Sequence, residues 1–294
     1  MALCLFYAQG FSAESAYESS FGGEITAGKG HSDRLRIAGT RPALYKSDKA
    51  ILVDATLEYE ARFWADTELE LSYNFSQREY DEITSSNTRY HYSLADLQHD
   101  FGFIRAGVTY SFLDFRFGGK SLLEVKQPGI YVERFLGRKV FIKAEYRYSE
   151  NDYDNLERLY SETHTSGGEA IYYFNRNTYL LVGYKYKDEK AKLLRRQYDA
   201  NKYKLQLTKR FKVGKYLSTF EATWRVEDRD YATVTKSING HRNDRRHRYK
   251  LKWKIPVSTR LFTELKIERS NYVSNVPWAN YIRDLSSIEF GIEF

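Results

Sequence analysis

The sequence predicts an all-β chain, specifically a transmembrane antiparallel up-and-down β-barrel of about 14 strands. Three observations predict it. Aromatic residues make up 16% of the 294, with 26 Tyr and 18 Phe against only 4 Pro, a balance that favours uninterrupted strands. Long segments alternate apolar and polar residues with period 2, so each would carry one face of each kind. Short turns alternate with longer polar connections, and strand segments of about 9 to 11 residues match tilted spans of an outer-membrane bilayer. No window holds the roughly 18 uninterrupted apolar residues of a membrane helix. The single cysteine, Cys4, excludes a disulfide scaffold.

Along the chain, MALCLFYAQGFSAES carries an apolar run from Ala2 to Phe11 closed by the small residues Ser12 and Ala13. That is the pattern of a secretory h-region and cleavage site, without the basic n-region. The expected division is a signal-peptide remnant over 1–13 and an outer-membrane barrel over 14–294, a plain apolar N-terminus being the alternative for the first part. A strand near 17–27 is followed by the segment Gly28 to Ala50, read either as the first outer loop or as a stretch folded inward to constrict the pore.

In ILVDATLEYEARF, Val53, Ala55, Leu57, Tyr59, Ala61 and Phe63 share one face, and Asp54, Glu58, Glu60 and Arg62 the other. After a short turn near 65, TELELSYNF repeats the pattern with Leu69, Leu71, Tyr73 and Phe75 against Glu68 and Glu70, which makes a hairpin. Further strands fall near 88–98, 103–113, 128–136, 139–149, 165–174, 178–187, 201–211, 217–227, 247–256, 260–269 and 284–294. Short turns are expected near 100, 137, 176, 213 and 258, with loops of roughly 9 to 23 residues between the other strand ends. All four prolines (Pro42, Pro128, Pro256, Pro277) fall in loops or at strand ends, where no ladder hydrogen bond is lost. A propeller blade would need four short strands per repeat where two long ones are found.

The aromatic residues cluster toward strand ends, at Tyr146, Tyr148, Tyr184, Tyr186, Tyr203 and Tyr249, with Phe294 last. Rings with a wet polar tip suit the headgroup level of a membrane, so these are expected to form interface girdles. Lys209 interrupts one lipid face but lies beside Phe211 near a strand end, where it can snorkel. If the apolar faces meet lipid, the alternate positions line the lumen. The expected acidic lining is Glu58, Glu60, Glu68 and Glu70. The expected basic lining is Lys143, Arg147, Lys185, Lys187, Lys202, Lys204, Arg210, Arg225, Lys250, Lys252 and Lys254. Two readings stand for these charges. They form a water-filled, anion-preferring pore by field focusing, or they pair across neighbouring strands in a plugged barrel.

The run INGHRNDRRHRY, with His241, Arg242, Arg245, Arg246, His247 and Arg248, reads as an outer loop, either simply solvated or bound to lipopolysaccharide phosphates. Six scattered histidines form no catalytic constellation, and no enzyme, metal site or cofactor is expected. The acidic pairs Asp152–Asp154 and Asp228–Asp230 sit where a surface hydrolase could place a dyad, although loop acids are ordinarily just solvated. SENDYDN lacks the ordered oxygen spacing of a calcium loop. Basic residues are dispersed with no recognition motif, so nucleic acid is not an expected partner.

The final alternation of Ile288, Phe290, Ile292 and Phe294 resembles the C-terminal signal of bacterial outer-membrane barrels, which implies the barrel-assembly machinery as a partner besides lipid and lipopolysaccharide. The Y-x-Y strand ends in EYRYSENDY and GYKYKDE, with the loop SNYVSNVPWANYIRD, make residues from about 51 to 294 similar to the 14-stranded C-terminal barrel of surface lipoprotein assembly modifiers and related exporters. The helical repeats of that family are not in this chain. The expectation is therefore a porin-like channel for small hydrophilic, anionic solutes in the outer membrane of a Gram-negative bacterium. The alternative is the barrel component of an export or lipoprotein-display system that relies on a periplasmic partner.

Overall fold

The computed structural model describes residues 17–36, 45–64, 66–235 and 237–294. The expected signal-peptide remnant, Cys4 and the centre of the Gly28–Ala50 segment lie outside the described residues. Fourteen strands follow one another: β1 (Tyr17–Arg36), β2 (Tyr45–Phe63), β3 (Thr67–Tyr80), β4 (Thr88–Asp100), β5 (Arg105–Phe117), β6 (Lys120–Leu136), β7 (Val140–Asp152), β8 (Ser161–Asn175), β9 (Thr178–Ala191), β10 (Tyr198–Val213), β11 (Tyr216–Thr235), β12 (Gly240–Pro256), β13 (Leu261–Ser274) and β14 (Tyr281–Glu293). Each pairs antiparallel with its sequence neighbours, and β1 closes on β14 to complete the barrel. Closure leaves no strand edge unpaired, the condition for placing sheet backbone in lipid.

At one end the connections are 64–66, 101–104, 137–139, 176–177, 214–215 and 257–260, the short turns expected from the sequence. At the other end the strands overrun their expected limits. β1 continues to Arg36, β11 to Thr235, and β12 begins at Gly240. Most of what read as long loops is therefore hairpin, and the connections shrink to spans such as 81–87, 118–119, 153–160 and 192–197. These extensions are polar on both faces, so no alternation marks them. Their backbone N–H and C=O groups still need partners, and continuing the ladder supplies them. Residues 28–36 and 45–50 accordingly belong to the barrel wall, neither a free loop nor an inward constriction.

The barrel is apolar outside. Ile51, Val108, Ile130, Val182, Leu251, Ile267 and Phe290 are all exposed on the outer face, the reverse of a water-soluble sandwich. Two inner clusters are apolar instead. One joins Leu35, Ala50, Tyr80 and Ile83 at the long-connection end, and the other joins Ile171, Tyr179 and Leu181 toward the short-turn end. On the inner wall, Tyr131 lies flat over Gly107 of β5, where a Cβ would stand 2.5 Å from its ring, and its hydroxyl donates to Asp96 at 2.8 Å.

Candidate functional site: a charged lumen

The strand register puts every expected lining residue on the inner face. Lys143 faces Glu133 and Glu169, Lys185 faces Lys202, and Lys204 faces Arg225. Arg225 in turn faces Arg248, Lys250 faces Glu268, Lys252 faces Lys266, and Lys254 faces Glu264. On the opposite wall Glu60 stands between Ser20 and Glu70, and Glu70 stands beside Asp96. Glu58 and Glu68 share that face, the latter 3.6 Å from Arg62. The lumen thus has an acidic wall on β2–β4 and a basic wall from β7 to β13.

Most of the basic residues are paired, some across strands and some with an acid two residues away on the same strand. Lys266 Nζ lies 2.6 Å from Glu264, 2.8 Å from Glu289 and 3.5 Å from Asp54. Glu264 also receives Lys252 at 2.5 Å, and Glu289 accepts from Thr26 and Ser287 at 3.0 and 2.7 Å. Lys254 bridges Glu24 at 2.6 Å and Glu293; Arg147 and Lys185 share Glu145; Lys187 holds Glu189 at 2.6 Å. Lys143 is 3.4 Å from Glu133, and Lys202 is 3.5 Å from Glu227.

The pairs are layered. The carboxylates lie against the wall, with the side chains of Glu289 and Glu264 0% and 1% exposed, while the Lys266 and Lys252 side chains above them are 23% and 30% exposed. At these two sites the lumen therefore meets amines rather than carboxylates, whereas at Lys254 the carboxylates of Glu24 and Glu293 are the more exposed partners. Lys204, Arg210, Arg225 and Lys250 have no ion-pair partner among the described residues and add to the same sign.

Tyr146, Tyr148, Tyr184, Tyr186, Tyr203 and Tyr249 all fall on the outer face, toward the long-connection end, where the outward residues turn polar. Their hydroxyls meet that polar fringe: Tyr184 donates to Asn201 at 2.7 Å, Tyr186 donates to Asp199 at 2.8 Å, and Tyr146 lies 2.6 Å from His164. Phe294 sits at the other end. Its backbone pairs with Gly23, and its ring is 6.3 Å from Phe21.

Two expectations change. INGHRNDRRHRY is not a loop: from Gly240 it is strand β12, with Arg242, Arg246 and Arg248 facing the lumen. Arg245, the arginine of that run facing outward, is held by Asp228 at 2.5 Å. Alternation was obscured there because charged residues occupy both faces. The acidic pair Asp228–Asp230 does not face a cavity either, since both residues point outward and bind Arg245 and Asn243.

A recess of about 440 Å³ at the long-connection mouth had no sequence signal. It gathers Lys187 and Glu189 of β9, Arg195 and Arg196 of the 3₁₀ turn Leu194–Arg196, Arg229 of β11 and Arg242 of β12. Arg242 is held by Asp244 through two 2.8 Å bonds, whereas Arg195 and Arg196 have no carboxylate partner among the described residues.

Residues 104–211 match the family described as "Putative beta-barrel porin 2". Among solved structures the chain is similar to an anion-selective porin from Comamonas acidovorans, at 10% identity and TM-score 0.56, over 95% of this chain and 100% of that one. It is also similar to OmpT of Vibrio cholerae, at 8% identity and TM-score 0.52 over 95% and 100%, and to OccAB3 of Acinetobacter baumannii, at 9% and 0.50 over 93% and 99%. A comparison with curated proteins finds no match. At these identities the likeness is one of fold, that of a closed antiparallel β-barrel, here of 14 strands.

Proposed function

We propose that the chain is an outer-membrane channel that passes small hydrophilic solutes with a preference for anions. The carrying observation is the layering at Lys266 and Lys252, where carboxylates lie buried beneath amines that face the lumen, beside the four inward cations Lys204, Arg210, Arg225 and Lys250 that have no ion-pair partner among the described residues. Charges set between low-dielectric walls focus the field along the pore, so a cationic lining raises the local concentration of anions. The acidic wall of Glu58, Glu60, Glu68 and Glu70 faces the basic one and turns that field across the lumen. The apolar outer band and its aromatic fringe support an outer-membrane location. A fold shared with a porin named as anion-selective points the same way.

Reversal potentials of the refolded chain in planar bilayers under a KCl gradient test the proposal. Chloride should permeate several-fold better than potassium. The double variant Lys204→Glu with Arg225→Glu should reduce or invert that ratio while keeping the heat-sensitive electrophoretic mobility of a folded barrel. Absence of conductance, or cation preference in the unaltered chain, would overturn the proposal.

A further inference from the structure

The inner wall is not polar throughout. On β4–β6, toward the same mouth as the arginine recess, Tyr92 faces Leu113, Leu113 faces Val125, and Phe115 stands between Tyr90 and Leu123. All six are only partly covered. Apolar surface left against water costs about 25 cal/mol per Å², so a channel for inorganic ions gains nothing from such a wall. Leu123 joins this wall to the recess, where it borders the same space as Arg195, Arg196 and Tyr153. Arg196 lies 4.9 Å above the Tyr153 ring and donates to its hydroxyl at 3.1 Å, which orients the guanidinium without neutralising it. The recess, about 440 Å³, falls within the roughly 300–1,000 Å³ of small-molecule sites; its own lining is mostly charged and polar, and Leu123 is where it meets the apolar wall.

We infer that the arginine recess and the adjoining apolar wall form a binding site for aromatic monocarboxylates at the mouth of the channel. Arg195 and Arg196 would take the carboxylate, since a guanidinium presents paired donors to two oxygens. The Leu123–Phe115 side would cover the ring. The inference names the solute class of the proposed channel and rests on that reading.

Calorimetric titration of the refolded, detergent-solubilised chain tests the site without needing conductance. Sodium benzoate should bind saturably with a Kd at least tenfold below that of sodium acetate, and benzylammonium chloride, with a similar body and opposite charge, should not bind. Arg195→Ala with Arg196→Ala should weaken benzoate about tenfold. Leu123→Asn should weaken benzoate while leaving acetate unchanged. Equal affinity for benzoate and acetate, saturable benzylammonium binding, or no saturable benzoate heat would overturn the inference. Chloride preference measured separately in bilayers would then leave the channel reading standing. Benzoate binding in a barrel that prefers potassium would keep the site and overturn the channel reading.

Discussion

At the scale of single residues, Lys266 holds the largest share of the basic wall together. Its amine meets Glu264, Glu289 and Asp54, residues of three different strands, two of which carry essentially no solvent exposure. Removing one partner of a buried ion pair leaves an uncompensated charge, which costs about 3–5 kcal/mol, more than the pair itself contributes over an apolar substitute. Lys266→Ala is therefore expected to lower the unfolding free energy by about that much, and with it the urea midpoint. Lys209→Ala, which alters a residue outside the lumen, should leave the midpoint close to that of the unaltered chain. Equal midpoints for the two variants would show that Glu264 and Glu289 find water or other cations in the lumen. Along β13 the alternation places Lys266 on the inner face. Glu264 stands two residues before it on β13, but Glu289 and Asp54 come from β14 and β2, so their convergence on one amine follows only from strand pairing and barrel closure.

Among the elements, the β3–β4 connection shows how the mouth is ordered. Asp48 on β2 is buried and accepts backbone N–H groups from Glu82, Ile83 and Lys49 at 2.9, 2.8 and 2.8 Å. Burial alone would raise its pKa, but these three donors together with Lys46 outweigh it and hold the carboxyl below the ordinary range. A depressed folded value means that the ionised form is the one the fold selects. Its contribution is fully present above the unfolded pKa of about 3.9 and is lost as the pH falls through the folded value. Amide protection at Glu82 and Ile83, corrected for intrinsic exchange, should thus be constant from pH 8 to about pH 5 and collapse in acid well below pH 4. Asp48→Asn should weaken it at neutral pH and remove the acid transition. Protection already lost at pH 6 would contradict this account. Asp48 lies in the stretch between Gly28 and Ala50 whose double-sided polarity hid its strand character, so neither its ladder nor its capping role was legible in sequence.

At the scale of the whole molecule, closure depends on the β1–β14 seam. Nine residue pairs join these strands, from Glu24–Glu293 to Ser32–Leu285. At Gly28 the backbones come so close that a Cβ would lie 2.1 Å from the Ile288 carbonyl oxygen and 2.6 Å from Glu289 Cα. Gly28→Val should consequently prevent closure and abolish the heat-sensitive mobility shift of the folded barrel. Gly240→Ala, where a Cβ would meet only the Ile238 carbonyl oxygen at 3.7 Å, should preserve it. A folded band of normal yield from Gly28→Val would mean that the seam can open by the required ångström without losing the barrel.

The sequence by itself determined the all-β class, the number of strands, the short-turn end and the face on which each inward charge and outward tyrosine lies. Those properties are local, because side-chain direction along a strand alternates with period 2 whatever the strand pairs with. Tertiary structure decided the rest: how far the hairpins run, which amines cover which carboxylates, and how Arg195 and Arg196 come to share a recess with Leu123. These depend on barrel closure and on contacts between residues far apart in the chain. Glu289 illustrates the division. Its inward orientation follows from the alternation around Ile288 and Phe290, but its complete burial beneath Lys266 follows only once β14 has found β1.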